Sequence, residues 1–406
     1  MTTTSMMDIQ ALEQQHVLQI YKRQPVVFVR GSGMRLFDDH GRSYLDFLSG
    51  IGVASLGHAH PDLARAIADQ ASTLVHTSNL YFHPLQGQLA ARLAALTGLE
   101  RAFFCNSGTE AVEACLKFAR KYWKQRGDAH RTEFVALNHS FHGRTMGSLS
   151  VTWDEHYRTP FQPLLPGVSF ADVDEPGTIE TLVTDRTAAV IVEPVQGEGG
   201  VRPLSADVVA ALKAACARTG ALLIADEVQS GSGRTGQFLY SRTLGLEPDL
   251  IALGKALGAG VPIGAAMLSA NVAAAAAPGD HGTTYGGNLL ACRAALTFLD
   301  VLMGPDGQEQ RGLLPSIRRV SAHLHARLHE LQERYPGRVT DVRGAGLIAG
   351  LVLQTDAQPV VAAALERGLL VNRTSTTVVR LLPAFIVTEK DVDEAIGTID
   401  EVLKTL

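Results

Sequence analysis

The stretch Ala221–Lys255, ALLIADEVQSGSGRTG followed by QFLYSRTLGLEPDLIALGK, carries most of the information about the fold. Its first five residues form a short apolar run that is followed directly by Asp226. A second apolar run, residues 250–253, is followed two residues later by Lys255. Short apolar runs with abrupt ends are typical of buried strands in a parallel sheet. Ligands bind at the carboxyl ends of such strands, so we expect Asp226 and Lys255 to face one crevice.

An acid and a lysine at neighbouring strand ends fit two interpretations. The first is a structural ion pair. The second is catalysis with pyridoxal phosphate (PLP), in which a lysine amine forms a Schiff base with the cofactor aldehyde. A carboxylate then keeps the pyridine nitrogen protonated, so that the ring can take up electrons from a carbanion. These two residues alone do not decide between the interpretations.

Strand patterns recur along the rest of the chain. Apolar runs at 102–105, 134–137 and 188–192 each end in a polar or glycine-rich turn, and helical patterns separate them. At least four strands therefore alternate with helices, which predicts a doubly wound, mostly parallel α/β sheet. Residues 26–50 predict a small antiparallel meander, and charged helices and strands after about Pro305 predict a separate α+β part.

Composition excludes several classes of protein. The chain has 406 residues, 46% of them hydrophobic, and a formal net charge of −5, which argues against general binding to nucleic acid or to a membrane surface. The four cysteines have no CxxC spacing, so reduced thiols are expected and neither a disulfide framework nor a metal site is predicted. The N-terminal residues lack the pattern of a signal peptide, and we expect a cytoplasmic protein.

The segment NSGTE, residues 106–110, follows a predicted strand and precedes a long helical pattern. Small residues at such a turn present free backbone amides at the positive end of the helix dipole, which is a favourable place for a phosphate. The alternative is simple capping of the helix by Ser107 or Thr109.

The segment FHGRT, residues 141–145, places an aromatic residue and an arginine after another predicted strand. Phe141 could lie flat on a planar ring, and the Arg144 guanidinium suits a carboxylate. The alternatives are a core phenylalanine and a surface ion pair.

Residues 231–236, GSGRTG, match the GxGxxG pattern of dinucleotide-binding sites. The pattern requires a helix immediately afterwards and an acid about twenty residues later at a second strand end. The following QFLYSRTLG is a weak start for a helix, and the acid is missing. The segment is therefore rejected as a dinucleotide fingerprint, and a nicotinamide-dependent dehydrogenase stays a competing hypothesis that an absorbance spectrum separates from a PLP enzyme.

Seven segments together resemble the class III (ω-amino acid) aminotransferases, which have PLP fold type I. They are SNLY (78–81), FFCNSGTEA (103–111), FHGRT (141–145), EPVQGEGGV (193–201), DEVQSGSGRTG (226–236), VPIGA (261–265) and YGGN (285–288). The resemblance covers nearly the whole chain. It implies a large PLP-binding domain at 62–304 and a smaller α+β domain built from an N-terminal segment, 1–61, and a C-terminal part, 305–406.

The resemblance also implies the residues that hold the cofactor. Lys255 would carry the Schiff base and Asp226 would contact the pyridine nitrogen. The other implied contacts are Gln229 to the ring hydroxyl, Val228 and Phe141 on the ring faces, His142 beside the cofactor, Ser107, Gly108 and Thr109 at the phosphate, and Thr284 from the other subunit of a homodimer. An intact Lys255 and Asp226 argue against a non-catalytic protein.

Arg144 and Arg380 would be the two substrate-carboxylate binders, with Glu193 close to Arg380 to neutralise it. The implied reaction moves an amino group from an ω-amino donor to 2-oxoglutarate. The motif order is typical of members that act on N2-acetylornithine, and the alternatives are ornithine, succinylornithine, succinyl-diaminopimelate and 4-aminobutyrate. Two departures from the family pattern are Gly254 before the lysine, often alanine, and Ala384 after Pro383, often proline.

Overall fold

A seven-stranded sheet forms the centre of the computed structural model, which describes residues 6–304 and 307–405. The strands of the described residues are β1 (Phe28–Ser32), β2 (Arg35–Asp38), β3 (Ser43–Asp46), β4 (Arg101–Cys105), β5 (Glu133–Leu137), β6 (Val168–Ala171), β7 (Thr187–Val192), β8 (Val195–Gln196), β9 (Arg202–Pro203), β10 (Leu222–Asp226), β11 (Leu250–Leu253), β12 (Gly264–Leu268), β13 (Val339–Ala345), β14 (Ile348–Leu353), β15 (Leu369–Leu370), β16 (Asn372–Thr374) and β17 (Val378–Leu381).

The helices are α1 (Met6–His16), α2 (Ser49–Gly52), α3 (Pro61–Thr73), α4 (Pro84–Thr97), α5 (Gly108–Gln125), α6 (Met146–Ser150), α7 (Glu155–Arg158), α8 (Gly177–Leu182), α9 (Ala206–Thr219), α10 (Tyr240–Thr243), α11 (Ala270–Ala273), α12 (Leu289–Met303), α13 (Leu314–Arg334), α14 (Gln358–Glu366) and α15 (Glu389–Thr405). Short 3-10 turns occur at Thr159–Phe161, Lys255–Gly258 and Glu309–Arg311. Among these described helices, none combines the length and the apolar character needed to cross a bilayer.

The strand order of the central sheet is β4-β12-β11-β10-β7-β5-β6. β12 runs antiparallel to both of its neighbours, and the other adjacent pairs are parallel. β10 and β11 lie side by side, with Asp226 opposite Ala252. The predicted α/β sheet is confirmed, and its two central strands end at the same edge.

Helices cover both faces of this sheet because successive residues of each strand point to opposite sides. In β10, Ile224 belongs to a buried apolar cluster with residues of α5, whereas Leu223 belongs to a second cluster with residues of α9. Strands buried on both faces are typical of doubly wound folds, and every residue of β7, β10, β11 and β12 is buried.

Two four-stranded sheets lie outside the central one, in the orders β1-β2-β3-β15 and β13-β14-β17-β16. The predicted antiparallel meander is confirmed in β1–β3. Its last strand pairs with β15 from the C-terminal part, and the amide of Leu45 donates to the carbonyl of Gly368 over 2.7 Å. We propose the division 1–61, 62–304 and 305–406 for the domains; residues 1–5, 305–306 and 406 lie outside the described part.

A buried arginine connects the loop after β10 to the C-terminal strands. Arg234, only 1% exposed, donates from Nη1 to the carbonyls of Leu347 and Pro383, and its own carbonyl accepts from the Leu347 amide. The guanidinium carbon lies 4.5 Å from the ring centre of Phe385. Burial lowers the pKa of Arg234 to about 9. The GSGRTG loop thus serves as a contact between two parts of the fold, in keeping with its rejection as a dinucleotide site.

The four cysteines are free, as predicted, and three of them are buried. Burial raises the pKa of the Cys105, Cys216 and Cys292 thiols to about 12. These thiols therefore stay protonated at neutral pH and are poor nucleophiles.

Candidate active site

The central strand ends bring together the predicted lysine and acid. Asp226 is the last residue of β10, and Lys255 follows β11 after Gly254. Lys255 has a left-handed φ of 41°, an uncommon conformation for a residue with a side chain. Burial lowers the pKa of Lys255, and the nearby acids only partly oppose this shift. A lowered pKa increases the fraction of free amine, which is the nucleophilic form.

Asp226 is held in one orientation by two hydrogen bonds. Its Oδ2 lies 2.7 Å from Nδ1 of His142, and its Oδ1 accepts from the Val228 amide over 3.1 Å. Both acid and histidine are buried, with Asp226 5% exposed. The structure therefore places His142 directly against the Asp226 carboxylate, which would contact the pyridine nitrogen of the cofactor.

Glu193 does not make the predicted pair with Arg380. Its Oε1 accepts from the Phe141 amide over 2.8 Å, and its Oε2 accepts from the Gly197 amide over 3.3 Å. Burial raises the pKa of Glu193 well above its usual value, and the neighbouring charge of Asp226 raises it further. Glu193 therefore connects the loop that contains Phe141 to the loop that contains Gly197. The pairing of Glu193 with Arg380 that the resemblance implied is wrong.

The acid that pairs with Arg380 is Glu198, whose Oε1 lies 2.6 Å from Nη1 of the arginine. Burial favours a raised pKa for Glu198, but the charges of Arg380 and Lys255 outweigh it, and the net pKa is lowered. Glu198 is ionised at neutral pH and neutralises a buried guanidinium. The turn after β8 carries Glu198 toward Arg380 in β17. Glu193 follows the end of β7 instead and does not pair with this arginine.

Arg380 has further partners and one free nitrogen. Its Nε donates to Oδ1 of Asn372 over 3.2 Å, and its Nη1 also lies 3.2 Å from Oε1 of Gln229. Nη2 is buried and has no partner within the described part of the chain. Gln229, predicted to reach a ring hydroxyl, thus contacts the Arg380–Glu198 pair. An unpaired buried N–H group costs free energy, so this nitrogen is a suitable donor for a ligand carboxylate.

Glu198 and Asn372 were missed by the sequence reasoning. Glu198 lies in the same EPVQGEGGV segment as Glu193, and its position between glycines was the available signal. Asn372 is opposite Arg380 in the β16–β17 ladder, a pairing that no local pattern reveals.

The predicted phosphate cup is the N-terminus of α5. Ser107 is the N-cap, and its Oγ accepts from the Glu110 amide over 3.3 Å. The amides of Gly108 and Thr109 are in the first turn, where an α-helix offers no acceptor of its own. Thr109 is fixed through Oγ1, which lies 2.6 Å from Oγ of Ser148. Capping is therefore compatible with the predicted phosphate site, because the Ser107 side chain satisfies only one of the first amides.

Neighbouring atoms pack closely against two glycines beside this cup. A Cβ on Gly108 would come within 2.5 Å of Cγ1 of Val228, and a Cβ on Gly254 would lie 3.1 Å from Cα of Gly108. The strand end before Lys255 therefore packs closely on the start of α5.

Arg144 is exposed and lies over an aromatic residue that the sequence reasoning did not identify. Its guanidinium carbon is 3.5 Å from the ring centre of Tyr157 and 5.5 Å from that of Phe141. No carboxylate lies within 4 Å of it in the described residues. Arg144 is thus available to an incoming carboxylate.

Thr284 is exposed on the surface of its own chain. The neighbouring Thr283 contacts the cup through Asn106, whose Nδ2 lies 3.4 Å from the Thr283 Oγ1. Asn79 donates to the carbonyls of Thr283 and Gly286, which fixes the 78–82 loop beside Thr284.

These residues fit PLP. The donor set combines a primary amine, a buried carboxylate and helix amides, which match an aldehyde, a protonated pyridine and a phosphate. Lys255 would hold the aldehyde, Asp226 the pyridine nitrogen and the N-terminus of α5 the phosphate. Val228 packs against Gly108 at the start of α5 and therefore lies beside the same site. The partly exposed Phe141 and Val228 are available to the two faces of a ring.

Comparison with known proteins shows the family to which the chain belongs. The family model for aminotransferase class-III matches residues 19–403. The acetylornithine aminotransferase of Aquifex aeolicus is 44% identical over 389 residues, which cover 96% of this chain and 100% of that protein.

Two solved structures have the same fold over the whole chain. The ornithine aminotransferase of Toxoplasma gondii, with partial occupancy of PLP at its active site, is 32% identical with a TM-score of 0.92 and covers 100% and 96% of the two chains. The acetylornithine aminotransferase of Elizabethkingia anophelis is 28% identical with a TM-score of 0.86 and covers 100% of both. From the strand-end lysine and acid, the helix cup and these matches, the chain is a member of the class-III aminotransferase family.

Proposed function

We propose that this enzyme transfers the δ-amino group of N2-acetylornithine to 2-oxoglutarate. The products would be N-acetylglutamate 5-semialdehyde and glutamate, in arginine biosynthesis. The observation that carries the proposal is the ion pair between the buried Arg380 and the partly exposed Glu198, at 2.6 Å. An ω-amino donor has no carboxylate beside its reacting carbon, so an arginine near that carbon must be neutralised by the protein. The curated relatives named acetylornithine aminotransferase, at 42–45% identity, support this donor.

Class-III aminotransferases use PLP, which when bound supplies an electron sink for the carbanion at the reacting carbon. Lys255 would anchor the cofactor and, once released, take a proton from the reacting carbon and return it. Asp226 would keep the pyridine nitrogen protonated. His142, hydrogen-bonded to Asp226, holds that carboxylate in place.

Arg144 and Arg380 would bind carboxylates at different positions of the two substrates. The α-carboxylate of acetylornithine is remote from its δ-amine, and Arg144 would bind it. Glutamate carries one carboxylate at the reacting carbon, which needs a second cation, Arg380. The unpaired Nη2 of Arg380 is available for this carboxylate of glutamate. In the glutamate half-reaction the partly exposed Glu198 would also release Nη1 of Arg380.

A panel of amino donors tests the proposal. The PLP-loaded enzyme is assayed with 2-oxoglutarate and each of acetylornithine, ornithine, succinylornithine, succinyl-diaminopimelate and 4-aminobutyrate. We expect kcat/KM for acetylornithine to exceed that for unacylated donors by at least about tenfold, within the range that pocket contacts supply. A higher kcat/KM for ornithine or 4-aminobutyrate would replace the proposed donor.

We further propose a homodimer with active sites at the interface. The surface around Thr284 exposes large apolar side chains, including Leu80 (85% exposed) and Tyr285 (63% exposed). Tyr81 and Phe82 extend the same surface. Contiguous exposed apolar groups of this kind mark protein–protein interfaces.

In such a dimer Thr284 would donate to the phosphate held by the partner. A Thr284→Ala variant should weaken PLP affinity by about 1–3 kcal/mol, the range for losing a hydrogen bond to a charged group. Titration of the apoenzyme with PLP measures the affinity, and Thr181→Ala, an exposed threonine on α8, is the matched control. Light scattering that finds an active monomer contradicts the proposal.

A further inference from the structure

Glu113 is a partly buried acid on α5 that has no role in the reaction described above. Its Oε1 accepts three hydrogen bonds: from the Thr145 hydroxyl over 2.6 Å, from the Gly147 amide over 2.7 Å and from the Ser148 amide over 3.1 Å. All three donors belong to the segment that follows Arg144 and forms the start of α6. One carboxylate oxygen on α5 therefore holds both backbone and side-chain groups of this segment.

Thr109, one turn before Glu113 on the same helix, holds the residues at the beginning of the segment. Its Oγ1 accepts from the amides of Arg144 and Thr145 over 3.3 and 3.4 Å. The same oxygen lies 2.9 Å from Oγ1 of Thr145 and 2.6 Å from Oγ of Ser148. A carboxylate can only accept hydrogen bonds, so the Thr145 hydroxyl donates to Glu113 and its oxygen is free to accept from Thr109. These side chains form one connected network that includes the backbone amide of Arg144.

Two glycines allow the segment to approach α5 closely. A Cβ on Gly147 would overlap Oε2 of Glu113 and would lie 2.9 Å from its Cδ. A Cβ on Gly143 would overlap Oγ1 of Thr109. Gly143 also has a φ of 131°, which residues with a side chain rarely adopt. The residues on both sides of Arg144 therefore pack directly against α5.

The position of Arg144 depends on this segment. Its exposed guanidinium lies over the ring of Tyr157, and such a contact attracts a cation without the directionality of a hydrogen bond. Its backbone is held through Thr109, and the residues that follow it are held through Glu113. We therefore expect the direction of the arginine side chain to follow from the contacts of its backbone with α5.

We propose that Glu113 is the positioning residue for Arg144 and thereby controls binding of the substrate carboxylate that lies remote from the reacting carbon. The N-terminus of α5 would hold the cofactor phosphate, and Glu113, little more than one turn later, would hold the arginine. A single helix would then set the distance between the cofactor and the remote carboxylate. The inference rests on the proposed function, which makes Arg144 the carboxylate binder, and it assigns a residue that no substrate touches.

Two pairs of amino donors test the inference. N-acetylputrescine is acetylornithine without its α-carboxylate, and 2-aminobutyrate is glutamate without the carboxylate remote from its amine; Arg144 would bind both of the missing groups. In Glu113→Ala we expect the apparent Kd for acetylornithine and for glutamate to rise about ten- to hundredfold, because a misplacement of about 1 Å can cost about 10²-fold. The limiting rates should change little. The second-order rate constants of the two analogues should keep their wild-type values.

Single-turnover absorbance changes of the PLP-loaded enzyme, recorded against donor concentration, give these constants. Glu113→Gln keeps an oxygen that can accept from Thr145 and should recover most of the lost affinity. Gly147→Ala places a methyl group against the Glu113 carboxylate and should reproduce the selective loss, which keeps the test valid if Glu113→Ala is unstable. Glu401→Ala, which removes an exposed glutamate within α15, is the matched control. Titration of each apoenzyme should give wild-type PLP affinity, because the amides of α5 remain.

The outcomes separate this inference from the proposed function. Equal losses for the two members of each pair, or a loss of PLP affinity of the same size, would make Glu113 a residue of the general scaffold and overturn the inference. Wild-type affinity for both carboxylate donors in Glu113→Ala and Gly147→Ala would overturn it as well. A wild-type enzyme that does not turn over acetylornithine overturns the proposed donor alone, since glutamate and 2-aminobutyrate still test the position of Arg144.

Discussion

A Lys255→Ala variant should lose at least about 10⁴-fold in turnover while still binding PLP. Acid–base catalysis by a positioned side chain contributes about 10²- to 10⁴-fold, and the same substitution removes the covalent anchor. The amides of α5 and the carboxylate of Asp226 remain, so the cofactor would be held without a covalent bond. Multiple-turnover assays measure the loss, and absorbance of the dialysed protein measures cofactor retention.

Lys213→Ala on α9 is the control, since Lys213 is exposed and belongs to no part of the proposed site. It should keep wild-type turnover. Substantial multiple turnover in Lys255→Ala would mean that another base performs the proton transfer, and the assignment of Lys255 would be abandoned.

Arg380→Ala should separate the two half-reactions. Removing one partner of a buried charge pair costs about 2–5 kcal/mol, which corresponds to roughly 30- to several-thousand-fold in rate. We expect this loss with glutamate, whose reacting carbon carries a carboxylate, and a much smaller one with acetylornithine. Single-turnover absorbance changes of the cofactor, recorded with each donor separately, measure both rates. Equal losses would make Arg380 a structural residue.

A pair of isosteric substitutions distinguishes the acid that neutralises Arg380. Glu198→Gln should slow the acetylornithine half-reaction more than the glutamate one, because it leaves the guanidinium unpaired when no substrate carboxylate is near. Glu193→Gln should affect both donors alike, since Glu193 holds the Phe141 and Gly197 amides. The reverse pattern would restore the pairing of Glu193 with Arg380.

The parts of the site that lie at strand and helix ends could be predicted from sequence. Asp226 and Lys255 follow apolar runs that match β10 and β11, and Ser107 follows the run that matches β4. Such positions depend on local patterns: burial sets the length of a strand, and small polar residues cap the next helix.

The choice between Glu193 and Glu198 depends on a turn and could not be made locally. Only four residues lie between the two acids, and both follow buried strands. Which of them reaches Arg380 is decided by how β8 turns and by the pairing of β16 with β17. The aromatic contact of Tyr157 with Arg144 is also non-local, because no spacing rule relates α7 to the FHGRT segment.

The pairing of β3 with β15 has a consequence for synthesis on the ribosome. Leu45 and Leu369 are partners, although Leu369 follows Leu45 by 324 residues along the chain. At about 5–20 residues per second, the nascent meander waits roughly 16–65 s for its last strand. During that interval the backbone N–H and C=O groups along one edge of β3 have no partner strand, and such edges can pair with other chains. The first sheet to leave the ribosome is thus completed only near the end of translation, and a nascent chain paused before residue 369 carries this unpaired edge.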